Sequence, residues 1–434
     1  MHKNENRPGY KKTKVGWIPE GWSDKPLKRI TKFRRGSFPQ PYGLPEWYDE
    51  KHGTPFVQVY DVDSNMRLKP FTKQKISEVA KAKSVFAEKG TVVLTIQGSI
   101  GRIAKIQYDA YIDRTLLIFS SFLMPTDKTF FMHSVYLLFD KEKRSAPGGT
   151  IKTITKEVLS DFIIALPPLP EQEAIAEVLE CWDKGVRTLE NKIVKKRLIK
   201  KGLMQALLSG EKRLPAFKPK DSECRISNSE CRIPKDWKTV KLGSLGKTIS
   251  GGTPETEDSR YWNGGIPWCT PTEFAKLETR FIEKTDRTLS ELGLKKSSAT
   301  ILPPNSIIVC TRATVGACAI NSVPMATNQG FKSLVPSNQT DCTFIYYVLT
   351  TLKNHFIRFS SGSTFLELSK RDFEKTKISL PPLEEQRAIA EVLAAADGEI
   401  EALERKLALW KDQKKFLLNN LVTGTVRLPA FAGK

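Results

Sequence analysis

The phrase LPPLPEQEAIAEVL occupies positions 166–179, and LPPLEEQRAIAEVL occupies 380–393. A shift of 214 positions aligns the two copies without a gap from Leu166/Leu380 to Phe217/Phe431, and they end in SGEKRLPAF and TGTVRLPAF. Solenoids repeat a unit of about 20–50 residues many times over. Here there are two copies, each preceded by a large and different segment. The chain is a duplicated module, and any fold assigned to it must accommodate the same element twice.

Within each copy the apolar positions step by four and three. The first copy runs Ile175, Leu179, Trp182, Val186, Leu189, Ile193, then Lys196, Lys200, Leu203 and Leu207. The second runs Ile389, Leu393, Ala396, Ile400, Leu403, Leu407, Trp410, then Lys414, Leu417 and Leu421. Such a heptad seam predicts long coiled-coil helices. Pro167-Pro168 and Pro381-Pro382 bar extension of the helices upstream. Glu171 and Glu384-Glu385 place negative charge at the positive helix start. Gly210 and Gly424 sit where a C-terminal glycine cap belongs. Helices of about 38 residues would be about 57 Å long. Lying antiparallel, each would project its preceding domain at an opposite end.

Charge separates the parts. The 434 residues carry 69 Lys+Arg against 48 Asp+Glu, a net +21. Positions 171–208 hold eight basic and six acidic residues, and 385–422 hold six and seven, so the helices together contribute only +1. Nearly all the excess therefore lies in the segments before the helices, which is the footprint of a polyanionic partner. No apolar run is long enough to span a membrane, and the start MHKNENRPGYKK has no apolar stretch of the signal-peptide kind. The seven cysteines form no C-x-x-C pair and the four histidines flank none of them, which disfavours a zinc site and points to reduced thiols in the cytoplasm.

The two segments echo each other faintly. GWIPEGW at 16–22 matches CRIPKDW at 231–237, and TVVLTIQGSIGRIAKI at 91–106 parallels SIIVCTRATVGACAI at 306–320. Each pairs two apolar β-rich runs about a glycine-bearing turn. Two mostly β domains with long loops are expected, alike in frame and divergent in detail. Between the halves, the doubled heptapeptide SECRISN/SECRIPK at 222–235 reads as a surface linker, and duplication explains the spacing of Cys224 and Cys231.

Motifs for catalysis are wanting. LGSLGKTIS at 242–250 contains Gly-Lys-Thr, but a P-loop needs glycine at position 241, which is Lys241. No G-x-G opens a dinucleotide or S-adenosylmethionine loop, and none of the three Pro-Pro pairs follows Asp or Asn as in amino-methyltransferases. Cys310 or Cys318 would need a histidine such as His355 nearby to act as a nucleophile. The sequence predicts a reader, with no catalytic, metal or cofactor-binding residue of its own.

These residues resemble the specificity (S) subunits of type I restriction–modification enzymes. The resemblance rests on the two LPPLxEQxAIAEVL phrases, the two RLPAF tails, GGTP…YW…GGIPW, ATNQGFKSL at 326–334, and SSGSTFLELSKRDFEKTKISLPPLEEQ at 360–386. The first half departs from it, with RRGSFP in place of SGGTP and GGTIKTITKEVLSDF as a loose echo of the later segment. It implies an α+β fold with a pseudo-two-fold internal repeat. Two mostly β target-recognition domains (1–165 and 230–379) would alternate with two long helices (166–210 and 380–424) forming an antiparallel coiled coil. A linker (211–229) and a tail (425–434) complete the chain. The resemblance further implies that each domain reads one half of a bipartite double-stranded DNA site. The helices would set the gap and dock methyltransferase subunits, two of them, with restriction/translocase subunits joining the complex. S-adenosylmethionine, ATP and Mg would belong to those partners.

Candidate DNA-contacting residues are polar groups in glycine-rich turns, where the backbone can approach the duplex. In the first domain they are Arg34, Arg35, Gln97, Ser99 and Arg102; in the second, Thr253, Arg260, Arg312, Thr314, Asn328 and Gln329. Arg suits guanine and Asn or Gln suits adenine, while phosphate contact or turn chemistry is the competing role for each. Two other classes fit the same features. A stand-alone DNA-binding regulator would bind its site without a partner, and a coiled-coil scaffold with incidental charge would show no steep salt dependence towards DNA.

Overall fold

The computed structural model describes residues 7–145, 156–218, 234–274, 276–277, 279–360 and 367–432. The doubled heptapeptide with Cys224 and Cys231 lies almost wholly outside these residues, as do positions 148–155 and 361–366 of the quoted motifs. The chain divides into two compact units, residues 1–189 with 407–434 and residues 190–406. Each unit holds one β-rich head, the start of the long helix that follows that head, and the end of the other long helix.

The duplicated phrases open helices of 40 and 39 residues, the central helix Leu169–Leu208 and the C-terminal helix Leu383–Leu421. Both begin directly after the Pro-Pro pair, whose second carbonyl accepts the amides of Gln172 at 3.1 Å and Gln386 at 3.0 Å. The helices run antiparallel within each unit. In the first, Trp182 meets Trp410 edge-on at 5.4 Å between ring centroids, and Lys414 pairs with Asp183. In the second, Lys196 pairs with Glu399 at 2.7 Å, Arg197 with Glu404 at 2.5 Å, and Lys200 with Asp397.

Along the seam, Ile175, Leu179, Val186, Leu189, Ile193, Ile389, Leu393 and Ile400 are buried. Trp182, Ala396, Leu403, Leu407 and Trp410 are half-buried. The first turns face more than a partner helix. Ile175 and Leu179 share a core with Trp22 and Phe130 of the first head and with Leu418 and Leu421. Ile389 and Leu393 share one with Trp237, Phe344 and Tyr347 of the second head and with Leu207. The repeated face thus fastens each head to both helices at once.

The Glu-Gln pair inside each phrase makes that junction specific. Glu171 is 1% exposed and accepts Arg427 Nε at 2.9 Å, Arg427 Nη2 at 2.8 Å and Trp22 Nε1 at 3.0 Å. Glu385 is fully buried and accepts Arg213 Nε at 2.9 Å, Arg213 Nη2 at 2.6 Å and Trp237 Nε1 at 3.0 Å. Their role is therefore an ion pair with the other helix's RLPAF arginine, while the helix-dipole role fits the exposed Glu384. Gln172 and Gln386 each donate back to the first proline of their Pro-Pro pair, at 2.8 and 2.9 Å. Each also accepts the amide of a head aspartate, Asp127 at 3.0 Å and Asp341 at 2.9 Å. Gly210 and Gly424 end the motif with φ of +75° and +72°, as a left-handed cap requires. A Cβ at either would lie 2.5 Å from a proline of the adjoining head, Pro234 or Pro19.

The heads share one frame. In the first, strands 31–35, 116–122, 92–95 and 103–105 form an antiparallel sheet in that spatial order. In the second the order is 246–250, 331–336, 307–310 and 318–321, extended by 281–282. A shift of 215 maps one set onto the other. Beside it a smaller sheet pairs 54–57 with 110–112 in parallel, and 262–269 with 326–327 likewise. Each head also carries helix that short periodicity did not announce. Lys128–Ser145 buries Phe130, Phe131, Val135 and Phe139, and Cys342–Thr351 buries Phe344, Ile345 and Tyr347. Asp127 and Asp341 cap these helices, accepting the amides of Phe130 at 2.7 Å and Phe344 at 2.8 Å. The residues that anchor Gln172 and Gln386 are thus the same ones that start the head helices. No helix among the described residues is long and apolar enough to cross a membrane.

Candidate nucleic-acid interface

Three segments converge at one edge of each head, and their backbone bonding is the same in both. The first is the turn between the two middle strands. In the first head Gly101 N donates to Thr95 O at 2.9 Å, and in the second Gly316 N donates to Cys310 O at 2.9 Å. Both turns need left-handed residues, Gly98 (φ +64°) and Gly101 (+82°) against Ala313 (+57°) and Gly316 (+83°). An alanine in that region costs roughly 1 kcal/mol relative to glycine, so the second head holds its turn at some strain.

The second segment links the small sheet to the large one. Asp113 Oδ1 accepts Thr115 N at 2.9 Å, and Asn328 Oδ1 accepts Gly330 N at 2.9 Å. Each turn is tied to the first segment, Ile96 N to Thr115 O at 2.9 Å and Thr311 N to Gly330 O at 2.7 Å. The third follows the outer strand, where Gly36 and Gly251 lie so near the Asp113 and Asn328 carbonyls that a Cβ would come within 2.3 and 2.0 Å. That close approach is why RRGSFP and SGGTP agree in a glycine and in little else.

In the second head this arrangement gathers Thr253, Arg312, Thr314, Asn328 and Gln329. Thr253 Oγ1 donates to Gln329 Oε1. Gln329 and Thr314 are exposed, and Arg312 is half-buried. Arg312 Nη2 donates to Glu367 Oε2 at 2.6 Å, and Glu367 also faces Lys332 at 3.8 Å. Burial lowers the Lys332 ammonium, with the Glu367 carboxylate opposing it. Arg260 stands apart from this group. It is exposed and bidentate on Asp258, holding that carboxylate down to about 2.

In the first head the arrangement gathers the exposed Gln97 and Ser99. Arg35 Nε reaches the Arg114 carbonyl at 3.0 Å, while Arg34, its neighbour on the strand, faces the opposite way by strand alternation. Arg102 is half-buried, with Nη1 on Val62 O at 3.1 Å, which secures the 59–62 segment beneath the turn. Sequence reasoning missed a polar group here. Tyr42 Oη donates to Asp113 Oδ2 at 2.7 Å, Gln58 Nε2 donates to Tyr42 Oη at 2.6 Å, and Tyr60 Oη donates to Gln58 Oε1. The Arg114 guanidinium lies over the Tyr42 ring, 5.3 Å from its centroid. Burial, then the Asp113 carboxylate, raise the Tyr42 hydroxyl above its ordinary range; burial, then Asp61, raise Tyr60 to about 12. Both stay protonated donors at neutral pH. The shift of 215 that maps ATNQG onto YIDRT was the available signal.

Two heads of one frame, each presenting different polar side chains from the same three loops, define a two-headed recognition subunit. The model of the type I restriction modification DNA specificity domain matches twice, over residues 19–196 and 234–409, and the chain belongs to this family, whose members are non-catalytic specificity subunits. Among relatives, a putative MjaX specificity subunit of Methanocaldococcus jannaschii is 26% identical over 99% of this chain and 98% of its own length. The MjaIX specificity subunit of the same organism is 37% identical over 172 residues, 39% of this chain and 40% of that one. In fold, the chain is similar to the type I S subunit from M. genitalium, with a TM-score of 0.57 at 16% identity over 92% of this chain and 96% of that one.

Proposed function

We propose that the three-loop edge of each head is the face that reads DNA, each head taking one half of a bipartite duplex site. The observation that supports this is the constancy of the loop framework beside the divergence of its tips: Gln97, Ser99 and Arg114 in one head, Arg312, Thr314 and Gln329 in the other. A shared frame with exchanged polar tips is what base readout of two different sequences requires. The recognition domains correspond to residues 1–165 and 230–379. The helices 166–210 and 380–424 set the spacing between half-sites and dock two methyltransferase subunits in the cytoplasm. Restriction/translocase subunits complete the complex, and the partners bring S-adenosylmethionine, ATP and Mg.

Replacing residues 230–379 by the matching segment of another family member should change one half-site and leave the other intact. A change in both halves would overturn independent reading. Log affinity should also fall linearly with log salt, at about 0.9 per contacted phosphate; a flat dependence would remove DNA from the proposal.

A further inference from the structure

We infer that Arg114 is the base-reading residue at the tip of the first head, the positional counterpart of Gln329 in the second, and that Tyr42 is its positioning residue. This rests on the reading of the three-loop edge as the DNA face.

Position carries the first part. Asp113 and Asn328 make the same side-chain turn, their amides donate to equivalent strands (Val57 O and Cys269 O, both 3.0 Å), and their carbonyls crowd equivalent glycines. The residue that follows is therefore held at one place in both heads, and it is exposed in both. One head offers arginine there and the other glutamine. These are the side chains that pair bidentately with guanine and with adenine in the major groove.

Orientation carries the second. A phosphate contact tolerates a mobile cation, whereas a bidentate guanine contact needs the plane of the guanidinium fixed. The Arg114 backbone is braced by Arg35 through its carbonyl, and its guanidinium rests on the Tyr42 ring. That ring is itself immobilised, because Asp113 and Gln58 hold its hydroxyl from two sides at 2.7 and 2.6 Å. No carboxylate among the described residues pairs with the Arg114 guanidinium, and the residue is exposed. By contrast Arg102 spends a donor on Val62 O and Arg260 two on Asp258. The network beneath Tyr42 pre-organises a reader.

The test uses the full chain assembled with its methyltransferase partner, and a library of duplexes randomised across both half-sites with the spacer held constant. Arg114→Ala should abolish the preference for one guanine in one half-site, by roughly 5- to 150-fold, and leave the other half-site unchanged. Arg114→Gln should move that preference towards adenine. Tyr42→Phe, which keeps the ring, should weaken discrimination at the same position less than Tyr42→Ala. An even loss across all sequences would make Arg114 a phosphate contact, and an unchanged profile would remove it from the interface. Either result overturns this inference while wild-type preference in both half-sites preserves the wider reading. Loss of that wider reading would show instead as no sequence preference in the unmodified complex.

Discussion

Arg427 grips Glu171 with two parallel hydrogen bonds, at 2.9 and 2.8 Å, across 256 positions of sequence. Arg213 grips Glu385 in the same way within the other unit. The carboxylates are 1% and 0% exposed, and each also takes the indole N–H of the head's tryptophan. The Glu385 attraction raises Arg213 further above its ordinary range, against the opposing effect of burial. The repeated phrase and the repeated tail are the two halves of one clasp, made twice.

Breaking the clasp from one side should therefore be costly. Arg427→Met strands a buried carboxylate, and removing one partner of such a pair costs about 3–5 kcal/mol. Adding Glu171→Gln neutralises the carboxylate and keeps an acceptor for Trp22 Nε1, so the double variant should recover most of that loss. Urea denaturation of both variants checks this; a double variant as unstable as the single would show that charge isolation is not the cause.

The helix pair offers a steric test in the first unit. A Cβ on Gly185 would lie 2.4 Å from Cζ3 of Trp410. Gly185→Ala should destabilise the protein even though alanine is the better helix former by about 1 kcal/mol. In a Trp410→Ala background the same change should become stabilising by up to that amount. A thermal-melt double-mutant cycle measures the difference, and additive effects would mean the rings relax apart freely.

His133 is buried, and desolvation, then Lys414 and Lys105, lower its imidazole to about 3 against the contrary pull of Glu180. A depressed base stays neutral in the fold but binds a proton in the unfolded chain below its ordinary value of about 6.5. Its contribution is therefore intact above pH 6.5 and is lost as pH falls from 6.5 towards 3, at up to about 1.4 kcal/mol per pH unit. His133→Gln should gain stability relative to wild type over that window and show no such trend above it. Parallel stability curves from pH 7 to 4 would contradict the burial of a neutral imidazole.

Arg312→Ala should relax one base position of the second half-site, at a cost of about 1–3 kcal/mol in binding the preferred duplex. Arg312 already donates to Glu367 at 2.6 Å, so the side chain is held in place before DNA arrives. Selection from a randomised library separates this from uniform weakening, which would reassign Arg312 to the phosphate backbone.

The sequence by itself determined the duplication, the two long helices with their starts and glycine stops, and the concentration of positive charge in the heads. Each of these is local or periodic: a heptad, a proline pair and a count of charges all survive without knowledge of distant contacts. Tertiary structure decided what the duplicated Glu-Gln pair is for, because its partners lie up to 256 positions away, in the segment beyond the end of the other helix for the glutamates and in the head for the glutamines. It also decided which polar residues share a surface. Arg260 sits in a turn as polar as any other, yet its guanidinium is taken by Asp258. Arg114 has no motif of its own; only the folded chain brings Arg35 to its carbonyl and, under its guanidinium, the Tyr42 ring that Asp113 and Gln58 hold. Periodicity reports which face of an element is buried; only the packed chain reports which loops meet, since loop contacts leave no period to read.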